Sequence, residues 1–174
     1  MIYMVEMDMR LGNREAEWHA WYLAHIEVLL SVPGFRASQR FRSILPCPAR
    51  YLALHQVDSG AIFESPAYSS RGGPGSTGEW RALHLNWRRN LLDGLPETPD
   101  VPQDATLLRL ENARDIALPA GIEPIWTKSV GLDRDADEFG LAVVEDPAPL
   151  LDLARGDTRV RLYRPISEKL RETT

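Results

Sequence analysis

The stretch from residue 14 to 30 constrains the fold most. Trp18, Trp21, Tyr22, His25, Ile26 and Leu29 recur at the spacing that gathers side chains on one side of a helix. Such a stripe must be buried against something, and the flanking segments read as strands. Residues 2–9 (IYMVEMDM) alternate, with Tyr3, Val5 and Met7 on one face and Ile2, Met4 and Glu6 on the other. Residues 35–43 (FRASQRFRS) and 50–57 (RYLALHQV) give two more strands, the second carrying Tyr51, Ala53, His55 and Val57 on one face. Asn13 is the expected helix cap, Glu15 and Glu17 suit the first turn, and Pro33-Gly34 ends the helix.

A second stripe, Trp80, Leu83, His84, Trp87 and Leu91, has the same spacing. It reads as a helix over 77–92, opened by the capping-box pair Ser76 and Glu79 after the glycine-rich stretch 69–78, and closed by Asp93-Gly94. With a strand at 105–111 the order becomes β-α-β-β-α-β, that of a ferredoxin-like unit spanning 1–111. Residues 112–174 form a C-terminal extension. Within it 124–132, 139–145 and 158–164 read as strands and 147–154 as a short helix, which suggests a reduced second copy of the same unit.

A chain of 174 residues, 44% hydrophobic, can bury a core without covalent staples. A net charge of −5 argues against nucleic acid as a partner, and no apolar run is long enough to span a membrane. The first nine residues lack a basic segment, so no signal peptide is expected and the cytoplasm is the expected compartment. One cysteine, Cys47, lies between two prolines and excludes an internal disulfide or a cysteine metal cluster. The glycine stretch lacks Gly-Lys-Ser/Thr, and neither HExxH nor GxSxG occurs, so phosphate-loop, zinc-hydrolase and serine-hydrolase chemistry have no motif here.

Trp21-x-x-x-His25 followed by Pro33-Gly34-Phe35 resembles the first helix of the EthD-like branch of the dimeric α/β barrel superfamily. Arg36, Arg40, the run Arg50-Tyr51-Leu52-Ala53-Leu54, and Ser65-Pro66-Ala67-Tyr68 extend the likeness over about residues 1–95. Ala24 and Glu27 depart from it, standing where an acidic residue and a proline are usual. The resemblance implies an α+β fold whose sheet pairs with a second sheet to close a barrel, usually across a homodimer. It also implies a pocket between each sheet and its helices.

An imidazole both takes and gives protons near neutrality, and indole walls exclude water while offering flat apolar surface. The residues therefore suggest a cofactor-independent isomerase, cyclase or lyase acting on a small apolar carbonyl compound or carboxylic acid. His25, His84 and Tyr22 are the candidate catalytic groups. Trp18, Trp21, Trp80, Trp87, Arg88 and His55 are the candidate substrate-binding groups, and no metal ligands are expected. Two alternatives stand beside this: a heme-binding or heme-modifying barrel, and a non-catalytic binding barrel. A core helix with one buried histidine produces the same stripe, so a cavity joining the histidines is what separates the readings.

Overall fold

The computed structural model describes residues 1–172. In chain order it contains β1 (Ile2–Met9), α1 (Glu15–Leu30), β2 (Phe35–Ser43), β3 (Tyr51–Val57), α2 (Pro66–Arg71) and β4 (His84–Asp93). There follow β5 (Thr106–Glu111), β6 (Ile125–Leu132), β7 (Glu138–Val144), α3 (Leu151–Gly156), β8 (Val160–Pro165) and β9 (Leu170–Arg171). The strands run β3-β1-β4-β6-β7-β5-β8-β2 in space, all pairs are antiparallel, and β2 returns to pair with β3. The result is a closed eight-stranded barrel, which leaves no long unpaired edge. Closure takes place within one chain, so a second copy is not needed to complete the barrel. The short β9 pairs with β2 at Ala37 and Ser38, beyond the point where β8 leaves it. The order β4-β1-β3-β2 recurs as β8-β5-β7-β6.

Alternation along β1 decides what lies on each side of the wall. Ile2 and Met4 point into the barrel with Phe41, Leu54, Leu107 and Phe139. Tyr3, Val5 and Met7 point outward and are covered by α1 through Trp18, Tyr22, Ile26 and Leu29. Fully burying each of these apolar side chains contributes roughly 1.5–3 kcal/mol, so the stripe holds the helix to the sheet. On the other half of the barrel Leu108, Leu110, Val160 and Leu162 face out against Leu150 and the apolar side chains of α3 and the 112–122 segment.

Several expectations are corrected. Asn13 does not cap α1: Arg14 holds the cap position without a side-chain cap bond, and its guanidinium instead grips Glu17 at 2.7 and 2.8 Å. The helix does end at the Pro33-Gly34 turn, where Gly34 has φ +98° and a Cβ would lie 3.2 Å from Ile62 Cδ1. The helix expected over 77–92 does not exist. A 3-10 segment spans Pro74–Leu83, broken by non-helical geometry at Gly78, and β4 begins at His84. The spacing of Trp80 to Leu91 fits a helix, but residues 84–93 find backbone partners on both sides, β1 and β6, which a helix at that place would leave unpaired. The capping pair fails with it: Ser76 Oγ donates to the Gly73 carbonyl at 2.6 Å, and Glu79 pairs with Arg14 at 3.0 Å. The helix after β3 is instead the short α2, whose Ser65 hydroxyl accepts the Tyr68 N–H at 3.1 Å. The strand at 105–111 is therefore the fifth, and it bonds to β7 and β8.

Candidate active site

Three histidines from three elements meet at one cavity between α1 and the outer wall of the barrel. His25 comes from α1, His55 from β3 and His84 from the first position of β4. Trp21, Tyr22 and Trp87 line the same space. His55 lies on the outer face because β3 alternates, with Tyr51, Ala53 and Val57 beside it under the helix. Ring packing fixes each imidazole. His25 stacks on Trp21 at 5.1 Å and 8°, His55 stacks on Tyr3 at 5.2 Å and 27°, and His84 leans on Trp87 at 5.3 Å.

Burial sets their protonation. It pushes His25 down to about 4 and His55 down to about 3. For His55 the nearby His25 and Arg40 act in the same direction. His84 is lowered as well, by burial that outweighs its backbone hydrogen bonds at Arg81 and Trp80. All three are neutral bases at pH 7, with no carboxylate drawing a proton onto them. The Nδ1 atoms of His55 and His84 are buried without a hydrogen-bond partner. Among buried polar groups such atoms are exceptions, and each has a proton or a lone pair to offer an incoming molecule.

The same lining presents hydroxyls and the Arg89 cation. Tyr3 donates a hydrogen bond to Tyr68, and burial raises both phenols, as it raises Tyr22 to about 12. Arg89 also lines the cavity, close enough to bias both Tyr3 and Tyr68 toward their charged forms. Its guanidinium lies 4.9 Å from the Trp87 ring and 3.3 Å from Asp133. The free volume is about 40 Å³. That is room for a few waters, so a molecule of substrate size enters only when a wall moves. Gly72, Gly73 and Thr77, all buried, complete the lining.

Of the candidate residues, the structure thus gathers His25, His55, His84, Tyr22, Trp21 and Trp87. Trp18 and Trp80 are buried one layer back: Trp18 packs on Tyr51 and Tyr22, and Trp80 on Trp21 and Arg14. Arg88 points the other way, through the wall into the barrel, because its neighbour Arg89 takes the outward register opposite Val5. Tyr3, Tyr68 and Arg89 were missed. The odd register of β1 carries the signal for Tyr3, and the same alternation one step beyond Arg88 carries it for Arg89.

Inside the barrel lies a second, separate set of ionisable groups. The fully buried Glu6 accepts from Arg109 at 2.7 Å, Arg88 at 2.9 Å and Arg161 at 2.8 Å. Glu111 is bonded by Arg88 and Arg109. Three guanidinium groups thus face two carboxylates. No group of histidine, cysteine or carboxylate side chains suited to hold a metal ion occurs among the described residues.

No family model and no curated protein matches this chain. A solved structure does: the crystal structure of an anthrone oxidase-like protein superposes with a TM-score of 0.63, over 99% of this chain and 94% of that one, at 10% identity. At that identity the likeness is one of fold. The fold is α+β, a closed antiparallel eight-stranded barrel with few helices, as in that α/β-barrel neighbour. No helix among the described residues is long and apolar enough to cross a membrane.

Proposed function

We propose that this chain is a cofactor-independent enzyme that moves a proton on a flat, conjugated carbonyl compound bound between α1 and the barrel wall. The observation that carries the reading is the convergence of three neutral imidazoles on one cavity with two indole walls. A neutral imidazole in a dry pocket is a competent base, and the developing oxyanion needs donors on the opposite side. His25, stacked flat on Trp21, is the general acid/base. His55 and His84 supply further ring nitrogens, while Tyr3, Tyr68 and Arg89 are placed to stabilise the enolate or phenolate oxygen. Tyr22 closes the wall beside His25. The neighbour's description as anthrone oxidase-like supports the substrate class, since an anthrone is a flat tricyclic ketone with an acidic ring methylene. The Trp21–His25 and Pro33-Gly34-Phe35 pattern favours the EthD-like branch, and the recurring strand order favours two fused ferredoxin-like halves.

Hydrogen–deuterium exchange at the ring methylene of anthrone, followed by NMR, tests this without knowledge of the final product. The native chain should accelerate exchange above buffer. His25→Gln, folded as judged by circular dichroism, should lose about 10²-fold or more of that acceleration, the usual worth of a positioned base. Unchanged exchange by a folded His25→Gln chain would remove the assignment.

A further inference from the structure

A further cavity meets the inner set of groups at Arg161 alone among that set's members. The β2–β3 loop and the start of β8 enclose about 260 Å³ there. Leu45, Pro48, Ala154 and Val160 are the apolar part of its lining, and Cys47, Thr158, Arg155 (paired with Asp152 at 2.7 Å) and Arg161 are the polar part. Arg161 is nine-tenths buried and spans the wall. Its Nη1 donates inward to Glu6 at 2.8 Å, and its Nε is buried with no partner at all. Against the pull of burial, Glu6 and the Tyr163 hydroxyl hold this arginine's pKa above the ordinary guanidinium value, so its charge is met and its Nε is the group left over. A buried N–H without an acceptor is costly, and an incoming acceptor removes that cost. Cys47 Sγ is tied to the Ala49 carbonyl at 3.1 Å, and the Tyr163 hydroxyl donates to the same oxygen at 2.9 Å. The Tyr163 oxygen also accepts from Arg161, which leaves the arginine's Nε without an acceptor.

We propose that this cavity is a binding site for a small organic carboxylate, whose headgroup accepts from Arg161 and whose short apolar tail lies against Leu45, Pro48, Ala154 and Val160. The site lies where the β2–β3 loop meets α3 and the start of β8, and it shares no lining residue with the histidine cavity.

Cys47 is the chain's one cysteine, so its modification reports on this cavity alone. The experiment measures the rate of N-ethylmaleimide labelling of the full chain against rising hexanoate, with 1-hexanol and sodium chloride at matched concentrations. Hexanoate should protect saturably, leaving about a tenth of the rate at about ten times its Kd, and should raise Tm in parallel. Ala154→Trp, which fills the cavity without touching the arginine network, should abolish hexanoate's effect on Tm. If that variant does not fold, the comparison of the three solutes on the unaltered chain decides. Equal protection by hexanol would make the space an apolar void, equal protection by chloride would make the effect one of ionic strength, and no protection by hexanoate would leave the cavity without a ligand. Each of these results overturns the proposal.

Discussion

One strand wall separates two chemistries. On its outer side, His25, His55 and His84 sit in a nearly dry space where burial keeps them neutral and two of them hold unpartnered nitrogens. On its inner side burial opposes charge as well, but the opposite charges alongside hold Arg88 and Arg161 above the ordinary guanidinium value and Glu111 below the usual carboxylate one. Arg88 and Arg89 are adjacent in the chain, yet one belongs to the inner network and the other to the outer cavity. Burial alone therefore does not decide protonation. Groups with charged partners are fixed as ions and build structure, whereas groups without them are left as neutral acids and bases able to exchange protons.

The largest expected effect lies on the inner side. Glu6→Gln removes the carboxylate common to three guanidinium groups and should cost about 3–5 kcal/mol, as breaking a buried pair usually does. Urea denaturation measures it. A midpoint equal to that of the native chain would mean that the inner network is not the stabilising element described above.

A smaller effect, of the opposite sense, is expected on the outer side. His55→Phe keeps a ring between Tyr3 and Phe35 and removes a buried atom without a partner. Stability at pH 7 should hold or rise by about 1 kcal/mol. The same variant should change the acid limb. His25 and His55 have folded values near 4 and 3 against an ordinary 6.5, so the unfolded chain takes up protons first as pH falls. Their contribution is complete above about 6.5 and is lost progressively toward the folded values as pH drops through that window. In His55→Phe the decline over that window should be shallower, and an identical slope would contradict the burial of His55.

What could be read from the residues follows the same division. β1, α1, β2 and β3 were legible because each has one buried face with a period of its own, and α1 displayed His25 and Trp21 directly. The helix expected at 77–92 was not legible as a strand. Trp80, His84, Trp87 and Leu91 satisfy a helical period, while Arg88, Asn90 and Leu92 alternate with Trp87, Arg89 and Leu91 as a strand does. Only pairing with β1 and β6, from distant parts of the chain, chooses between the two. Tyr68 joins Tyr3 by a similar long-range meeting. Glu6 stood on the inward face of β1 from the start, but its partners Arg88, Arg109 and Arg161 come together only when the barrel closes.

The claim on which the outer site depends is that its imidazoles are neutral well below their ordinary range. NMR titration of the ring carbons of the chain's four histidines measures this directly. His25 should half-titrate at about 4 and His55 at about 3, the latter only near the point of acid unfolding. Titration of both close to 6.5 in the folded chain would show water and charge in the cavity, and would contradict the account.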